Sequence, residues 1–140
     1  MSEFLIKTVI AVPALGLALT SFLTMMAVMG KPPDQNRDLA RLRRIHKVTG
    51  WLFIVLVAPL TALGAEIVAR KGDGLPMRGV LHVVLAVTLL ALLLQKVLVV
   101  RVYRQFLKQA QGLGIAVFSL TLIIVLITAG FYLLRLGAVQ

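Results

Sequence analysis

Four long apolar runs, at about 4–29, 45–69, 80–102 and 113–134, are separated by short gaps that carry almost all of the charge. Each run reaches the roughly 20 residues that cross the hydrocarbon layer of a bilayer. This predicts an all-α fold, an integral membrane four-helix bundle, with 1–140 as a single transmembrane domain. The breaks are chemically clear. GKPPDQN (30–36) holds two prolines, which end a helix and favour extended backbone before them. RKGDGLP (70–76) is a turn of glycines, charges and a proline, and RQFLKQAQG (104–112) is polar and ends in glycine. RDLARLRR is expected to be helical and to run directly into the second span. The first run is too long, and its flanks too poor in cleavage signals, to read as a removed signal peptide.

Composition narrows the function classes. Hydrophobic residues make up 60% of the chain and charged residues only 14%, against about 25% charged in a soluble domain. Most of the net charge of +10 lies in the gaps and at the ends of the runs, where it suits the anionic headgroups of a lipid bilayer and leaves no basic face for nucleic acid. The chain has no cysteine, which excludes disulfides, thiolate ligands and covalently attached haem. The spans hold too few polar residues to line a transport path, and no nucleophile, base and orienting group share one depth. No catalytic residue is assigned, and a non-catalytic subunit is the expectation.

Lysine and arginine in short loops set orientation. The first and third gaps, with their flanks, carry nine such residues, and the opposite side five, with Lys96 left out as intramembrane. Both termini are therefore expected outside, with the first and third gaps cytoplasmic. Trp51 and Tyr103 then fall near the inner interface and Tyr132 near the outer one, where such rings prefer to lie. Lys96 is expected to run its amine to the inner interface.

The only two histidines, His46 and His82, open the second and third spans. Histidines on adjacent membrane helices invite a single haem held by both. Antiparallel geometry rejects this. Residues equidistant from a turn near Gly74 share a depth, so His82 is level with Glu66, and His46 lies about 30 Å away at 1.5 Å per residue. Each histidine is then read with its own neighbours. At the inner level, His46 has Gly50 one turn on, a notch able to admit a flat ring. Arg43 and Arg44 could pair with haem propionates, and the sulfur of Met25, Met26 or Met29 could be a second axial ligand. At the outer level, His82 has Arg78 at i−4. Glu66 could fix the tautomer of His82 or pair with Arg70, and Tyr132 lies nearby. The plain alternative is that each histidine only bonds a backbone carbonyl, that Gly50 is a packing notch and that the methionines are apolar filler.

RIHKVTGW entering one span and RGVLHVVLA opening the next resemble small four-span bacterial inner-membrane proteins of the cytochrome-b-like type. The order, with TAGFY over Thr128–Tyr132, is also similar to a family of this size associated with haem–copper oxidase assembly. The first resemblance implies b-type haem on histidines at helix ends, with electrons passing between a quinone or haem partner and a periplasmic redox protein. The second implies a non-redox assembly or scaffolding subunit of a respiratory oxidase. The fourth span has no histidine, a departure from a two-haem cytochrome, which uses four. A missing ligand would come from methionine, from another membrane subunit or from a second copy in a homo-oligomer.

The charge bias yields a direct test. A cysteine placed at Asp73 is expected to react with a membrane-impermeant thiol reagent in intact cells. Labelling of a cysteine at Asp34 instead would reverse the orientation.

Overall fold

The computed structural model describes residues 3–30 and 36–130, with side chains over 9–30, 38–72, 74–128 and 130. Within these residues the chain forms four helices: α1 (Glu3–Met29), α2 (Asn36–Lys71), α3 (Met77–Arg101) and α4 (Gln109–Val125). All four are long and apolar enough to cross a membrane. A π-helical turn, Leu126–Gly130, follows α4. The expected fourth span ran on to residue 134, and its last four residues, Tyr132 among them, lie outside the described part.

The basic segment before the second span is indeed helical and continuous with it. At 36 residues, α2 is about 54 Å long, against about 38 Å for α3, so one end of α2 extends beyond a hydrocarbon layer of about 30 Å. Pro13 and Pro59 both lie inside helices. The turn between α2 and α3 is a short 3-10 segment, Gly72–Gly74. Its first residue has φ +50°, a left-handed conformation that costs glycine little. Pro76 then caps α3 in extended conformation, where a missing N–H does no harm.

The helices are arranged in chain order around the bundle. α1 packs on α2, α2 on α3 and α3 on α4, and α4 closes against α1. Lipid tails are as apolar as leucine, so association must come from close packing rather than from escape from water. The core shows how. Ala14 and Ala18 of α1 share a buried cluster with Phe53 and Val57 of α2, Leu89 and Leu93 of α3, and Val117 of α4. Phe22 and Phe118 stack across α1 and α4 with centroids 4.6 Å apart and planes 10° from parallel.

Polar side chains in the spans are mostly neutralised locally. Thr20, Thr24, Thr49, Thr61, Thr88, Thr121 and Thr128 each donate to the carbonyl one turn back, at 2.7–2.9 Å. Such back-bonding satisfies a hydroxyl without water and removes these threonines as a hydrophilic path.

Phe53 is the least exposed residue of this core, at 3%, whereas Val55 on the same helix is 66% exposed. Phe53→Ala opens a void on the order of 100 Å³, which at about 24 cal/mol per Å³ costs about 2 kcal/mol. Val55→Ala is expected to change little. Unfolding free energies in mixed detergent would separate the two, and equal losses would remove Phe53 as the packing anchor.

Candidate functional site

The antiparallel run of α1 and α2 brings Ser21 beside His46. His46 Nδ1 lies 2.8 Å from the Ser21 carbonyl oxygen and 3.1 Å from the Ser21 hydroxyl oxygen. A carbonyl can only accept, so Nδ1 carries the proton and donates. Nε2 is then the nitrogen with the free lone pair. A backbone carbonyl on one ring nitrogen is also how metal-bound histidines are oriented. Gly50, one turn along α2, faces the same serine: a Cβ built there would lie 4.0 Å from the Ser21 hydroxyl, an ordinary contact, so the space suits a small residue.

His46 lines a cavity of about 340 Å³ between the ends of the four helices. Its walls are mainly apolar: Phe22 and Met25 from α1, Trp51 and Ile54 from α2, Val97 from α3 and Phe118 from α4. The polar groups on it are few. Besides His46 and Ser21 they are Lys47, Lys96, Arg101 and Gln111. A largely apolar recess with a small set of polar groups is the general form of a small-molecule site.

Two of the cations are held by the fold. The Lys96 ammonium does not run along α3 to the interface as expected. It reaches across to α4, where its Nζ lies 3.4 Å from the position a Cβ would occupy on Gly114. Arg101 lies over the Trp51 ring, 5.7 Å from the centroid, a cation–π contact that joins the end of α3 to α2.

The residues singled out from sequence separate accordingly. His46, Gly50, Met26 and Met29 line the cavity, together with Met25. Met26 and Met29 are 43% and 39% exposed, whereas Met25, on the Ser21 face one turn along, is half-buried. Arg43 and Arg44 are exposed and do not line it; Arg44 borders a separate recess with Ile45, Val48 and Thr49. The guanidinium pair beside His46 in sequence is thus replaced at the cavity by Lys96, Lys47 and Arg101. His82 and Arg78 lie on the first two turns of α3, at the other end of the bundle, and are not part of this cavity. Glu66 pairs with Arg70, the simpler of its two expected fates. Tyr132 lies outside the described residues.

Ser21 and Lys96 were not singled out as site residues. A weak signal was present for the first. Reflection about the centre of GKPPDQN maps residue 46 onto residue 20, next to Ser21, whereas reflection about the centre of 104–112 maps 96 onto 120 and misses Gly114.

Among the described residues no group of three His, Cys, Asp or Glu side chains could hold a bare metal ion. An axially ligated haem asks less of the protein, one or two donors. His46, with its Nδ1 occupied and Nε2 open, and the thioether of Met25 or Met29 fit that requirement. The fold defines a class, an all-helical bundle whose four helices are able to cross a membrane. No family model matches the chain, and neither a curated protein nor a solved structure matches it.

The Gly50 notch makes the first demand on this geometry. Gly50→Ala is expected to be tolerated. Gly50→Leu is expected to wedge α1 from α2 and to cost about 1–3 kcal/mol by overpacking. Melting in detergent reads the difference, and an unchanged Gly50→Leu protein would deny the notch a packing role.

Proposed function

We propose that this chain is a small electron-transfer subunit of a bacterial inner membrane that holds a b-type haem in the cavity at His46. The observation that carries the reading is the His46–Ser21 bond. It directs one ring nitrogen to the backbone and leaves the other as a ligand on the wall of an apolar cavity. Haem, when bound, supplies reversible one-electron transfer at its iron. The chain's own part is to orient His46 through the Ser21 carbonyl. Phe22, Ile54 and Phe118 keep water from the ring, and methionine sulfur is placed within the same cavity. A methionine sulfur of this cavity, if it joined His46 in holding the haem, would raise its potential, which would suit an acceptor of electrons from quinol.

Orientation follows from the loop charges. Both termini are outside, and the His46 cavity is near the cytoplasmic face. His82 belongs to the outer end and acts separately. A neighbouring subunit or a second copy of the chain is the source of a stronger second ligand, should methionine not fill that position. The competing reading, a non-redox assembly or scaffolding subunit of a haem–copper oxidase, draws on the apolar residues that remain exposed on every helix. It predicts a colourless protein.

Reduced-minus-oxidised visible spectra of the purified protein decide between them. A b-type band is expected, lost in His46→Ala and kept in His82→Ala. A band that survives His46→Ala in correctly inserted protein would overturn the assignment of the ligand, and the absence of any band in wild type would favour the scaffolding reading.

A further inference from the structure

Lys96 sets a problem that the histidine does not solve. A lysine inside a span normally extends its amine to the headgroups, and an ionisable group kept at depth is costly unless it has a partner. Lys96 lies five residues before Arg101, the last residue of α3, about 7.5 Å deeper along the helix. Its amine is directed to α4 and lies 3.4 Å from the position a Cβ would occupy on Gly114. An alanine Cβ there would meet the ammonium at contact distance, and a larger side chain would compete with it for the place.

The described carboxylates are elsewhere. Asp38 is in the first turn of α2, eight residues beyond His46 on the side away from the bundle. Glu66 is at the opposite end, paired with Arg70. Neither lines the cavity. The cavity therefore joins apolar walls to a positive pole formed by Lys96, Lys47 and Arg101. Of the three, Lys96 is the deepest, and Arg101 is already engaged over Trp51.

The complement of that arrangement is an amphipathic anion. A neutral apolar ligand would bury Lys96 without a partner. A small inorganic anion would lose its water against walls that offer it few hydrogen bonds. A phospholipid phosphate is held at headgroup level, near Arg101, and does not reach the depth of Lys96. A carboxylate carried on a rigid apolar body does.

We propose that the cavity is a site for a carboxylate-bearing, flat apolar ligand, with the Lys96 ammonium, turned in toward α4 beside Gly114, as the partner of the carboxylate. This deepens the haem reading, because haem carries propionates, and it rests on that reading only for the iron. Ligation by His46 and carboxylate recognition by Lys96 are separable.

The test uses the full chain in lipid nanodiscs with metal-free protoporphyrin IX and with its dimethyl ester, which has the same ring and no free carboxylate. Trp51, the only tryptophan, lines the cavity, so its quenching reports occupancy. Wild type is expected to bind the diacid about tenfold more tightly than the diester, the scale of one charge-assisted hydrogen bond. Lys96→Gln is expected to abolish the preference and Lys96→Arg to retain it. Lys108→Gln, an exposed lysine outside the cavity, is expected to leave it intact. Equal affinities in wild type, a preference that survives Lys96→Gln, or no porphyrin binding at all would overturn the proposal. His46→Ala should keep the diacid preference while losing iron ligation, so a failure of the haem reading is read apart from a failure of the Lys96 site.

Discussion

A peptide group in hydrocarbon has no water to turn to, and the structure follows from that constraint. Each unpaired N–H or C=O would cost several kcal/mol, so the apolar stretches become helices that close their own hydrogen bonds. Helices in lipid gain little from hiding leucine, because the tails around them are equally apolar. What remains is contact. Ala14 and Ala18 provide it on α1 by letting neighbouring helices come close, and Phe53, Leu89, Leu93 and Val117 fill the space between.

The same constraint explains why the polar residues that do face inward carry information. A threonine satisfies itself against its own helix, and seven do so here. Imidazole and ammonium have no such local remedy. His46 is satisfied on one side by a carbonyl from another helix, which locks α1 to α2 and assigns the ring its tautomer. Lys96 crosses to a third contact, on α4. One end of the bundle is therefore polarised: an imidazole on one wall, a cation on another, and apolar and aromatic side chains between. The other end, with His82 on α3 and the Glu66–Arg70 pair on α2, is separated from it by about 20 residues of helix, about 30 Å, too far for the two ends to share one small ligand.

Much of the fold was legible without coordinates. The runs of apolar residues, the prolines of 32–33, the glycines of 72–74 and the polar stretch at 104–112 place the helices and turns to within a few residues. The helical lead-in before the second span was legible too, and the structure gives it as one continuous helix, α2. Antiparallel counting placed the two histidines at opposite ends, a consequence of connectivity alone.

The site was legible only in part. His46, Gly50 and the methionines were recognisable as neighbours, because depth can be counted from a turn. Which way each side chain faces could not be counted. A helix that is apolar all round has no stripe to give its rotation, so nothing in the spacing told that Arg43 and Arg44 face outward while Arg101 folds onto Trp51, or that Lys96 enters the bundle. Sequence by itself determined the number, length and order of the helices, since hydrogen bonding in hydrocarbon is a local requirement. Tertiary structure decided their rotation, and with it the joining of the Ser21 carbonyl to His46 and of Lys96 to Gly114, because rotation is set by the fit of small residues against large ones across different helices.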